Sequence, residues 1–248
     1  MSGAPPLLDP APVVLRRVPL RIDPAEVRAF QAYKPPLPLA PSELTTRLEA
    51  AGREAAALIE PRLGYRTVAV TEAGPDTLTL ADGPRLHIPD IGRHWGAVDA
   101  VTVGVATIGE AAEDRVRARR EAGDFLGATL LDSAASAAVE CLAEWANDYL
   151  CQLGVAAGLA VTNRISPGLA GFGLTEQSLL LGLCPAGEAG VWPEPGGTLR
   201  PAKSISFLVG IGRTARLDHY FVQCRRCWAR DCPARRLAAI TTVHRGDH

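Results

Sequence analysis

The chain has 248 residues, 47% of them apolar, and its 26 basic and 27 acidic residues leave a formal charge of −1. That size and apolar content support a buried core and exclude a disordered chain. The balanced charge gives no argument for nucleic acid or an anionic membrane surface, and no apolar run approaches the ~20 residues of a membrane span. The start, MSGAPPLLDPAPVVLRR, has no basic stretch leading into an apolar one. No signal peptide is therefore expected, and the expected location is cytoplasmic. In a reducing compartment a tight group of cysteines reads as metal ligands or redox thiols before disulfides.

Residues 1–16 are rich in Pro and Ala and are expected to be loose. IDPAEVRAF (22–30) predicts a helix capped by Asp23, with Pro24 at its first position and Glu26 three residues after the cap. KPPLPLAP (34–41) predicts an extended crossing. SELTTRLEAAGREAAALI (42–59) predicts a second helix, with Ser42 as cap and Leu44, Leu48, Ala51 and Ala55 on one apolar face.

The period then changes. RTVAV (66–70), DTLTL (76–80) and RLHI (85–88) predict short strands, with Gly74-Pro75 and Asp82-Gly83-Pro84 as turns. AVDAVTVGVATIG (97–109) predicts a buried central strand, and EAAEDRVRARREAGD (110–124) a solvated helix. FLGATLLDSAASAAVECLAEWANDYLCQLG (125–154) predicts a long Ala-rich helix. Asp132, Ser136, Glu140, Glu144 and Asp148 recur every four residues along it, so they share one stripe, read here as the wet face. A short helix capped by Thr175 and a strand at SISFLVGIG (204–212) follow. Trp192 is expected to pack in the core, and His87 and His94 to lie on the surface. These elements predict an α+β fold, a mainly antiparallel sheet packed against the long Ala-rich helix. They divide the chain into a helical and small-strand region (1–110), a core (111–215) and a C-terminal cysteine segment (216–248). No phosphate loop, dinucleotide fingerprint, nucleophile elbow or zinc-protease motif occurs.

Three pieces stand in one order: the long helix, then NRISPGLAGFGLTEQSLLLGLC, then LRPAKSISFLVG. Over roughly residues 120–212 this order resembles the activation domain of cobalamin-dependent methionine synthase, and especially its free-standing relatives. The resemblance implies that fold. It also implies an S-adenosylmethionine groove, with an Arg-x-x-Pro-Gly segment at Arg164, Ser166, Pro167 and Gly168 and a strand carrying Lys203, Ser204 and Ser206. The family's Tyr after Pro-Gly is Leu169 here, and AFQAYKPP (29–36) holds no acid where the family offers one to the methionine amino group. In elementary terms, Gly168 permits close backbone approach and Arg164 presents a planar fork to a carboxylate.

Cys224, Cys227 and Cys232, in CRRCWARDCP, have the spacing C-x2-C-x4-C and end on Pro233. Such a cluster suits tetrahedral sulfur ligation, hence a [4Fe–4S] centre or zinc. Unliganded redox thiols remain a third reading. Arg225, Arg226, Arg230, Arg235 and Arg236 would favour the thiolates. Cys184 is the first choice for a fourth ligand and His219 the second, and an open coordination position is a further alternative. Cys141 and Cys151 read as small core residues.

The expected function is that of an accessory redox protein. It would dock on a corrinoid-binding methyltransferase protein, with the corrinoid on that partner, and support return of Co(II) to Co(I) through an iron–sulfur centre. S-adenosylmethionine would be the methyl donor. The alternatives are a non-catalytic corrinoid-protein binding subunit or chaperone with structural zinc, and a free-standing methyltransferase subunit. No nucleic-acid or membrane partner is expected.

Overall fold

The computed structural model describes residues 7–216, apart from 33, 82, 169 and 170. Chain order begins with strand β1 (Val13–Arg16), helix α1 (Pro24–Ala32) and helix α2 (Pro41–Leu58). Strands β2 (Arg62–Ala73), β3 (Thr77–Leu80) and β4 (Arg85–His87) lead to a short helix α3 (Ile91–Trp95) and strand β5 (Ala100–Thr107). Helices α4 (Ala111–Glu121) and α5 (Phe125–Ala156) precede strand β6 (Ala160–Val161). A 3-10 turn (Leu174–Glu176), α6 (Gln177–Leu183), α7 (Ala186–Ala189), β7 (Trp192–Pro193), β8 (Leu199–Arg200) and β9 (Ser204–Gly212) complete the described chain.

The main sheet is antiparallel throughout, in the order β4-β3-β2-β5-β9-β6, with β1 also paired to β2. Its strands come from both sides of residue 110. All eight residues of β5 are buried. A Val/Thr run can serve both faces of a central strand, and burying each Val contributes roughly 1.5–3 kcal/mol relative to exposure. Residues alternate between the faces. Ala100 and Ala106 pack toward α5, whereas Val101 and Val103 pack toward α3 and α6.

Helix α5 is the organising element. Asp124 caps it by accepting from the Gly127 N–H at 2.8 Å. Its alanines Ala134, Ala135, Ala137 and Ala138 are fully buried. One side packs on β5, β6 and β9, and the other carries α1, α2 and α4. By length and hydropathy α5 could cross a membrane. Here both apolar sides are covered by protein, and it is a core helix.

Several local expectations change. The strand VVLR lies inside the segment expected to be loose, where flanking prolines mask a four-residue element. Helix α2 begins at Pro41 rather than after Ser42, because proline suits a first helical turn where the amide is unpartnered anyway. Thr175 lies inside a 3-10 turn whose flanking residue is Gly173. Trp192 is exposed, not a core aromatic. Asp23 does cap α1, accepting from the Ala25 N–H at 2.8 Å.

Candidate functional site

Most of the acidic stripe of α5 is not a wet face, and of its five members Asp148 alone is exposed. Asp132, Ser136, Glu140 and Glu144 are only partly exposed, and cations from three distant segments meet them. Lys34, just after α1, donates to Asp132 Oδ2 at 2.6 Å and to the Thr129 carbonyl at 3.1 Å. Lys203, just before β9, reaches Asp132 Oδ1 at 2.8 Å and donates to Ser136 Oγ at 2.8 Å. Arg164, after β6, pairs with Glu140 and donates to Glu144 at 2.9 Å. The rise of a helix separates these successive partners by ~6 Å per four residues. The result is a charged seam between α5 and the segments beside it.

Arg164 is held at both backbone and side chain. Its N–H donates to Asn147 Oδ1 at 2.7 Å, and Asn147 is itself buried. Positions 140, 144 and 147 fall on one helical face, so a single surface of α5 fixes the residue. The flanking Ile165 exchanges two backbone hydrogen bonds with Leu208 of β9. Arg164 is 2% exposed, which requires compensation of its charge. Two carboxylates share that one guanidinium.

The charges are unevenly satisfied. Burial pushes the Glu144 carboxyl above its ordinary value, and Arg164 opposes the shift. Burial also tends to raise Asp132, but hydrogen bonds and charge from Lys203 and Lys34 outweigh it and hold the carboxyl low. Lys34 is lowered, chiefly by burial.

The residues expected at the groove separate into two groups. Arg164 and Lys203 both face α5. Ser204 lies on the opposite face of the sheet, its hydroxyl 2.8 Å from that of Thr107. Ser166 and Ser206 are buried, and among the described residues their hydroxyls have no hydrogen-bond partner. Gly168 has φ +89°, and its N–H closes a turn onto the Phe172 carbonyl at 2.7 Å. Pro167 precedes it at the surface, and Leu169 lies outside the described residues. Glu140, Glu144, Asp132 and Lys34 were missed as site residues. Their four-residue spacing was the available signal, but nothing local names the cations that meet them.

Cys224, Cys227, Cys232 and His219 lie outside the described residues. Cys184 ends α6 and packs between two apolar clusters, where burial pushes its thiol up to about 12. Among the described residues no group of three or more His, Cys, Asp or Glu is placed to hold a metal. Cys141 and Cys151 are half-buried on α5.

No protein-family model matches the chain, and no curated protein matches it. Among solved structures it is similar to the MetH reactivation domain bound to AdoHcy, at a TM-score of 0.59 and 13% identity. The similarity covers 88% of this chain and 83% of that one. The chain therefore has the fold of a methionine synthase reactivation domain, as the order of its three sequence pieces predicts.

Proposed function

We propose that this protein is an accessory component of a corrinoid-dependent methyltransferase system, binding S-adenosylmethionine along the α5 seam. The observation that carries the reading is the Arg164–Glu140–Glu144 cluster, set in the fold of a domain that binds AdoHcy. Two carboxylates against one guanidinium suit a ligand that brings positive charge, as the ammonium and sulfonium of S-adenosylmethionine do. Glu144, with its side chain 44% exposed, is the acceptor a ligand can reach. Arg164, buried against both acids, orients it. Lys203 extends the positive side of the seam toward the start of α5. Ser166, Pro167 and Gly168, which follow Arg164 in the chain, and Ser204 are the further proposed ligand contacts.

The partner is a corrinoid-binding methyltransferase protein, which retains the corrinoid. Cys224, Cys227 and Cys232 would hold an iron–sulfur centre, whose chemistry is one-electron transfer at low potential. Cys184 is the proposed fourth ligand, and binding there must offset the apolar setting that keeps its thiol protonated. Reduced corrinoid on the partner would accept the methyl group that S-adenosylmethionine supplies, leaving S-adenosylhomocysteine.

Calorimetric titration tests the site. S-adenosylmethionine should bind more tightly than S-adenosylhomocysteine, which lacks the sulfonium. Glu144→Gln should shrink that difference by about tenfold, the scale of one charge-assisted contact. No heat of binding at millimolar ligand would remove the methyl-donor role.

A further inference from the structure

The β7–β8 hairpin borders a shallow cleft of about 480 Å³, lined by Glu110, Trp192, Pro193, Glu194 and Arg200. Trp192 is 51% exposed, an unusual state for the largest apolar side chain. Arg200 is directly opposite it in the hairpin and pairs with Glu110 at 3.3 Å. Among the described residues, the exposed Glu194 carboxylate has no ion-pair partner. An indole face beside an unmatched carboxylate is the chemistry that takes up a guanidinium, by stacking and by ion pairing together.

The chain carries a guanidinium source of its own. Residues 217–248 hold six arginines and three aspartates, whereas the whole chain has a net charge of −1. The rest of the chain is therefore net acidic, and the tail is basic. Five of those arginines fall within 224–236, among the three cysteines. The described chain stops at Arg216, whose N–H donates to the Trp95 carbonyl at 3.0 Å, beyond the far end of β9. The nine residues of β9 span about 30 Å at ~3.3 Å each. The stretch from 217 to 225 can cover about the same distance when extended.

We propose that the cleft receives the arginine-rich segment 224–236 of the same chain, with a guanidinium stacked on Trp192 and paired with Glu194. The cleft adjoins the seam, because the Lys203 N–H donates to Glu113 at 2.7 Å, three residues from Glu110. The docking holds whichever metal the cysteines take, so it stands or falls separately from the redox reading.

Tryptic cleavage of the full-length protein, followed by mass spectrometry of fragments from 217–248, tests this. The wild-type tail should be protected, and added salt should weaken the protection. Trp192→Ala and Glu194→Lys should each release the tail about tenfold faster, since cleavage tracks the undocked population. Both positions are exposed, so the melting temperature should not move. Cleavage of both variants at the wild-type rate would overturn the proposal. Protection that grows with protein concentration would assign the cleft to the tail of a second copy, and would overturn docking within one chain.

Discussion

Arg164 donates from Nη2 to Glu144 Oε1 at 2.9 Å, joining a buried guanidinium on the segment after β6 to a half-exposed carboxylate on α5. Glu140 completes the pairing one helical turn away. This clamp sets the geometry of the candidate site, and it is also structural.

Replacing Arg164 by Met should therefore cost about 2–3 kcal/mol of stability, below the usual range for a broken buried pair because both acids keep access to water. Arg164→Lys should recover only part of this, since an ammonium lacks the planar fork. Urea unfolding measures both. A loss under about 0.5 kcal/mol would place the residue in the class of weak surface pairs.

The two titrating acids of the seam should act with opposite sign. Asp132 is held low, so its contribution is present above the ordinary carboxylate range and is lost as pH falls through its lowered value. Glu144 is raised, so its contribution is full below the ordinary range and is lost as pH rises through the raised value. Asp132→Asn should flatten the acid limb of a stability–pH curve. Glu144→Gln should flatten the decline on the other side. Denaturant midpoints between pH 3 and 7 would show both changes.

Much of the fold is legible in the sequence. The all-buried β5 follows from its Val/Thr run, and α5 from its Ala-rich length. β1 is not legible, because four residues between prolines carry too little pattern to outweigh a loop composition. The site is legible only on one side. Arg164 and Lys203 stand in recognisable motifs, but the acids that meet them were read as solvated. A four-residue spacing of acids fits a wet face and a charged seam equally well. The choice depends on Lys34, Lys203 and Arg164 converging from far along the chain.

Gly104 of β5 faces the ring of Phe207 on β9, and a Cβ there would lie 2.5 Å from the ring Cζ. Phe207 is fully buried and cannot swing outward. Gly104→Ala should destabilise the sheet by about 1–3 kcal/mol, the usual cost of overpacking. Thermal or urea unfolding tests it, and a neutral substitution would mean that the β5–β9 pairing gives way easily.

Cys184 should be a slow thiol. With its value pushed up to about 12, little thiolate exists at neutral pH. In metal-free protein its alkylation should run roughly a thousandfold slower than that of an ordinary exposed cysteine. Peptide mapping after timed iodoacetamide treatment gives the rate, and fast labelling would contradict the buried setting. Cys227→Ala should release bound metal and leave α5 and its sheet intact. Unchanged metal content in that variant would remove Cys227 from the ligand set.

The most direct measurement is iron, zinc and acid-labile sulfide analysis, with a visible spectrum, on protein purified without oxygen. The account predicts about four irons and four sulfides per chain and broad absorption near ~400 nm, from a centre able to pass an electron to a corrinoid partner. One zinc with no sulfide and no colour would contradict it. CRRCWARDCP would then be a structural clip on a non-catalytic binding subunit.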